Sequence, residues 1–232
     1  MAGLGIGKRQ AFLLFTALFF LVDLYLILVY APVLDASLGS ELGRMVFVHP
    51  PIAMTGLLST LVAAIASVMF LVKRDRKWDR IAYSTAEVGT VFFTAAVITG
   101  AIWAKPVWQT WWVWDANGTM TFMLWLVFIG YLIVRSYAPS IDQGAQWAAI
   151  VAIFGAVAAP FVYMAGDWWV GVHTERVTGP GASGSLDGSI RIVFYVSLLA
   201  FLCLFTALVM ERTAQRSVEE DIESLRKEAA LT

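Results

Sequence analysis

Residues 46–80 read VFVHPPIAMTGLLSTLVAAIASVMFLVKRDRKWDR. From Val46 to Val72 the stretch contains no Asp, Glu, Lys or Arg. A helix rises about 1.5 Å per residue and the hydrocarbon core of a bilayer is about 30 Å thick, so around 20 apolar residues suffice to cross it. This run is longer than that. It then stops on Lys73-Arg74-Asp75-Arg76-Lys77, a density of charge that no hydrocarbon phase accepts. The segment is a spanning helix that opens beside His49-Pro50-Pro51 and closes at a basic boundary.

The rest of the chain repeats the pattern. Hydrophobic residues make up 59% and charged residues 14%, against about 45–50% and about 25% in soluble domains. Apolar stretches of spanning length occupy 11–31, 46–72, 82–104, 117–135, 147–165 and 190–210. They are separated by Ala31-Pro32, Lys73 to Arg80, Lys105-Pro106, Ala138-Pro139 and the Gly-rich segment 179–188. The expected fold is all-α: a polytopic membrane protein with six transmembrane helices forming one domain over 1–210, followed by a charged cytoplasmic tail over 211–232. Lys8 and Arg9 lead into the first apolar stretch, which is too long for a secretory signal core and reads as a retained anchor. The net charge of −1 provides no basic field for nucleic acid. A single cysteine, Cys203, excludes an internal disulfide, a CxxC motif and the CxxCH attachment site of a c-type cytochrome.

Lys and Arg near the span ends set orientation. One side collects Lys8, Arg9, Lys73, Arg74, Arg76, Lys77, Arg80, Arg135, Arg212, Arg216, Arg226 and Lys227, and the other only Arg44, Lys105, Arg176 and Arg191. Twelve against four makes the first side cytoplasmic, with both termini there.

That assignment places both histidines, His49 and His173, on the outer side, with seven of ten tryptophans: Trp103, Trp108, Trp111, Trp112, Trp114, Trp168 and Trp169. Between spans three and four, residues 103–115 read WAKPVWQTWWVWD. Pro106 suits a first helical turn, and Trp108, Trp111, Trp112 and Asp115 recur at helical spacing. The segment 103–117 is therefore expected to form a short amphipathic helix lying at the outer interface. Such a helix is either an aromatic belt or a flat platform for a large planar ligand. A lone histidine is commonly structural, but two on one face beside such a platform have the chemistry to hold haem iron from its axial positions. A bis-histidine site for another metal is less well supported, because no Cys, Asp or Glu sits at ligand spacing beside either histidine. Two further acids stand within or near spans. Asp23 is costly in lipid and marks either a function or a packed side chain; Glu87, near the cytoplasmic start of span three, suits packing or partner contact as well as chemistry.

Trp108-Gln109-Thr110-Trp111-Trp112-Val113-Trp114-Asp115 resembles the tryptophan-rich WWD signature of the haem-handling proteins of cytochrome c biogenesis. Arg44, His49 and Pro51 in an Arg-x-x-x-x-His-x-Pro pattern, Thr99-Gly100, and Trp168-Trp169 four residues ahead of His173 extend the resemblance to the CcmC branch over nearly the whole chain. The resemblance implies that His49 and His173 are axial ligands of a non-covalently and transiently bound haem b. It also implies that Trp108, Trp111, Trp112, Trp114 and Asp115 form the platform. Trp103, Trp168, Trp169 and Arg44 complete the candidate site. The implied role is to present haem at the outer, periplasmic face of the inner membrane for transfer to the chaperone CcmE, beside the transporter subunits CcmA and CcmB and the small protein CcmD. Two departures stand out: Gln109 where the family pattern has Gly, and Asn117 where it has Arg. Without that arginine, a propionate counter-charge must come from Arg44, Lys105, Arg176 or Arg191.

The expected activity is that of a haem holder rather than an enzyme with covalent turnover, and no Gly-rich nucleotide motif occurs. A b-type cytochrome subunit would need facing histidines within spans. A small-molecule transporter would need polar residues and broken helices at mid-membrane.

Overall fold

No water reaches the backbone in hydrocarbon, so each crossing segment must satisfy its own hydrogen bonds as a helix. The computed structural model describes residues 6–34, 40–169, 171–172 and 188–230, with no strand among them. The helices are α1 (Ile6–Tyr25), α2 (His49–Lys73), α3 (Arg76–Trp108), α4 (Ala116–Tyr137), α5 (Ile141–Trp168) and α6 (Gly188–Ala229). All six are long and apolar enough to cross a membrane. A π-helical turn, Leu26–Tyr30, extends α1, and a 3-10 helix, Ser40–Phe47, precedes α2.

The charge cluster at 73–77 turns the chain back within two residues. Arg74 ends α2 in the left-handed region (φ 55°), its N–H donating to the Phe70 carbonyl at 2.8 Å. Asp75 then caps α3, accepting from the Lys77 N–H at 2.9 Å. So short a connection forces α2 and α3 antiparallel and adjacent, and theirs is the most extensive contact among the described helices. Gly89 permits it: a Cβ there would collide with Ser59 Oγ and lie 2.8 Å from Phe128 Cε1. Small residues at such crossings let helix backbones approach closely in lipid.

On one side of this central hairpin, α4 and α5 pack through Phe93, Leu124, Phe128, Ala148 and Ala152. On the other, α1 and α6 pack through Phe20, Phe92, Phe201 and Phe205. Asp23 is fully buried here, and its Oδ1 accepts from the Ser197 hydroxyl at 2.7 Å. The acid thus joins α1 to α6 as a packed polar pair. Leu14, Leu18, Leu21 and Val22 remain outward on α1, as lipid contact requires.

The two ends of the bundle differ in chemistry. At the basic end, Arg135 makes a bidentate pair with buried Asp79 at 2.7 and 2.6 Å. Glu87 receives Arg212 at 2.8 Å and Arg216 at 2.6 Å. These contacts join α3 to α6, so Glu87 is a packing acid here. α6 has 42 residues, about 63 Å at helical rise, roughly twice the hydrocarbon thickness. It runs unbroken through Glu211, where Arg9 and Glu211 pair α1 with α6.

The structure corrects one expectation: residues 103–117 do not form a separate interfacial helix. α3 continues through Pro106 to Trp108, then leaves the helical region at Gln109, and residues 109–115 are non-helical. Pro106 lies in the last turn, where one missing N–H removes a single terminal bond. Beyond it Thr110, Trp111, Trp112 and Val113 are poor helix formers, and Asp115 starts the next helix. Its Oδ1 accepts from the Gly118 N–H at 3.0 Å, which is an N-cap.

Candidate functional site

The opposite end carries the tryptophans. His49 is the first residue of α2, and Pro50 and Pro51 occupy the turn where absent N–H groups cost nothing. Its half-buried ring lies against α3: Nδ1 is 3.1 Å from Thr99 Oγ1, and a Cβ on Gly100 would come within 2.9 Å of Cε1. The Trp103 ring meets it edge-on at 6.0 Å. Thr99 lies nine residues before Trp108 at the end of α3, about 13 Å along the helix. His49 is therefore recessed below the tryptophan loop rather than level with it.

The loop itself is braced from beneath. Trp112 and Trp114 contact each other at 6.0 Å and both contact Phe122 of α4, at 6.1 and 5.7 Å. Trp125 continues the wall at 5.3 Å from Phe122, its Nε1–H donating to Thr94 Oγ1 at 2.9 Å. Trp111 and Trp114 are left 62% and 69% exposed, which for rings of this size means open faces. Trp112 is half-buried, and its Nε1–H is buried without an acceptor among the described residues. A buried indole N–H ordinarily finds one. Open ring faces beside an unmatched donor fit a planar ligand with acidic edges, which is the shape and chemistry of haem.

Gln109 takes φ 60°, a conformation costing an L-residue about 1–2 kcal/mol and glycine almost nothing. The glycine of the family pattern matches that need. Here the strain is held by local bonds: Gln109 Nε2–H donates to the Pro106 carbonyl at 3.1 Å, and Lys105 Nζ donates to the Gln109 carbonyl at 3.2 Å. Lys105 also stands 5.8 Å over the Trp111 ring.

Asp115 has two tasks. Besides capping α4, its carboxylate packs against Gly171, where a Cβ would fall 2.6 Å from Oδ2. Gly171 is two residues before His173. His173 itself, with Arg176, lies outside the described residues, so its role as a ligand is not placed. Gly118 is equally constrained, since a Cβ there would collide with the Val113 carbonyl. Trp168 and Trp169 pair at 5.8 Å at the end of α5. Arg44 is committed elsewhere: it donates to the Ile27 carbonyl and from Nε to Glu41 at 3.1 Å, tying the 3-10 helix to the π-turn of α1. Asn117 takes a bond from Thr121 at 3.5 Å within α4.

Sequence reasoning missed Phe122 and Trp125. Both follow the WWD segment on α4, but nothing in their spacing separates them from lipid-facing aromatics.

Six apolar helices with an aromatic, histidine-bearing end define a polytopic membrane protein. Residues 7–228 match the family model described as heme exporter protein C. The heme exporter protein C of Bradyrhizobium diazoefficiens is 30% identical over 182 residues, 78% of this chain and 69% of that protein. That of Haemophilus influenzae is 29% identical, covering 84% and 78%. A putative cytochrome c biosynthesis ccmC-like mitochondrial protein of Arabidopsis thaliana is 26% identical, covering 87% and 78%. The chain belongs to the heme exporter protein C (CcmC) family.

Proposed function

We propose that this chain holds haem b, non-covalently and transiently, at its tryptophan end during cytochrome c maturation and yields it to the chaperone CcmE, beside CcmA, CcmB and CcmD. The basic end faces the cytoplasm across the inner membrane, with both termini there, and the tryptophan end faces the periplasm. Twelve of sixteen Lys and Arg residues at one end support that orientation. The observation that carries the reading is a pair of open indole faces, Trp111 and Trp114, above a recessed histidine.

Haem, when bound, would supply an iron that two imidazole nitrogens could ligate. His49 offers one, from a ring fixed by α3. His173 would offer the other; it follows two residues after Gly171, which Asp115 contacts. Trp111 and Trp114 give the macrocycle apolar area. The Trp112 N–H is a donor for a propionate, and Lys105, over the Trp111 ring, supplies a cation at this face. Two single-point ligands and an open platform suit a carrier that must also let go. A b-type cytochrome would need histidines facing each other within spans, whereas His49 meets a threonine hydroxyl across α2 and α3.

The test is the visible spectrum of detergent-purified protein, coexpressed with the chaperone and transporter, beside His49→Ala and His173→Ala. A low-spin haem spectrum in the wild type, lost or shifted in both variants, is expected. Spectra and chaperone loading unchanged by either substitution would remove the ligand assignment.

A further inference from the structure

A histidine ligand needs its second nitrogen fixed. The Thr99 hydroxyl lies 2.7 Å from the Ala95 carbonyl and 3.3 Å from that of Ala96, either of which can take its one proton. With its proton on a backbone carbonyl, Thr99 Oγ1 is the acceptor at its 3.1 Å contact with His49 Nδ1, and Nδ1–H the donor. A neutral imidazole has one N–H, so this contact puts the lone pair on Nε2, which the ring geometry turns away from Thr99. Gly100, the next residue, supplies the floor: its bare Cα lets the ring lie where a Cβ would be 2.9 Å from Cε1. Trp103, one turn further along α3, closes the ring from the edge at 6.0 Å. One turn of α3 thus holds the ring of a residue 50 positions earlier in the chain on three sides.

We propose that Thr99 is a positioning residue for the His49 iron ligand, relaying a backbone carbonyl through its hydroxyl to fix His49 as the Nδ1–H tautomer and present Nε2 to haem. The proposal rests on the reading of His49 as a ligand. It adds a partner of the kind that orients metal-bound histidines, whose loss generally weakens metal binding by about 10–100-fold.

The experiment uses the full chain in detergent, stripped of haem, as wild type, Thr99→Val, Thr99→Ser and His49→Ala. Valine keeps the shape of threonine without the acceptor, and serine restores the acceptor. In histidine-labelled protein, nitrogen–proton correlation spectra report which ring nitrogen of His49 carries the proton, with His49→Ala assigning the signal. Hemin titration followed by absorption gives affinity. The wild type and Thr99→Ser should show the proton on Nδ1, and Thr99→Val should lose that signal and bind hemin about 10–100-fold more weakly. An unchanged His49 signal in Thr99→Val overturns the proposal, as does a lost signal with undiminished hemin binding. If His49→Ala binds hemin like the wild type, the ligand reading fails and the proposal goes with it. In that case the haem-free spectra still report whether the Thr99 contact exists.

Discussion

The Asp79–Arg135 pair separates stability from function, because it lies at the end of the bundle away from the tryptophans. Both side chains are buried, with relative exposures of 2% and 7%. Replacing Arg135 with Met leaves a carboxylate in a packed environment. Among the described residues its remaining cation is Arg76 at 3.4 Å, which is 37% exposed and also bound to Asp142 at 2.7 Å. Removing one partner of a buried pair costs about 3–5 kcal/mol. The guanidinium also stands 4.7 Å over the Tyr83 ring, a contact worth about 0.5–2 kcal/mol. Arg76 offsets part of this, so Arg135→Met should lose about 3 kcal/mol, roughly a hundredfold in the folded-to-unfolded ratio. Asp79→Asn added to Arg135→Met removes the stranded charge and should recover more than half of the loss. The assay is equilibrium unfolding in mixed micelles, read as a double-mutant cycle, with hemin affinity of the folded fraction measured alongside. A loss below about 1 kcal/mol, or a double variant no better than the single, would refute the reasoning, the reference being the typical cost of a broken buried pair. A fall in the hemin affinity of folded Arg135→Met would refute the division between the two ends.

Three further outcomes follow from single residues. Gln109→Gly and Gln109→Ala both lose the side-chain bond to the Pro106 carbonyl, but only glycine relieves φ 60°. Gln109→Gly should therefore exceed Gln109→Ala in stability by about 1 kcal/mol, measured by thermal unfolding in detergent; equal values would mean that the loop relaxes freely. Asp23→Asn keeps an oxygen for the Ser197 hydroxyl and should fold and load the chaperone normally. Ser197→Ala should cost about 1 kcal/mol, whereas normal folding with lost loading in Asp23→Asn would assign the carboxylate a function.

The six spans were legible because lipid imposes a length and a composition on every crossing helix, and charge is excluded from between them. Their ends were less so. α3 runs over Arg76–Trp108 rather than 82–104, because helical hydrogen bonding continues past the hydrocarbon wherever caps such as Asp75 allow. The Trp108, Trp111, Trp112 and Asp115 spacing suggested a helix, yet periodicity carries no information about which residue starts the next element. Asp115 does start it, and a side chain that caps one helix cannot sit inside another. Arg135 entered the sequence reading as a marker of sidedness, and its pairing with Asp79, 56 residues away, has no local signal. The His49–Thr99 contact is hidden for the same reason. The two residues meet only because the Arg74–Asp75 turn sets α2 and α3 in register.

That register links the fold to the site. The basic turn fixes where α3 begins relative to α2, and the close fit at Gly89 prevents either helix from sliding. Helical rise then determines which residue of α3 lies level with the first residue of α2. A slip of one residue would move the α3 face by about 1.5 Å and turn it by about 100°, exchanging Thr99 for Ile98 or Gly100 at the His49 ring. Neither side chain can hydrogen-bond to Nδ1. The chemistry of the tryptophan end is thus constrained from the basic end, through rigid helices whose relative height is set by a two-residue turn and one glycine.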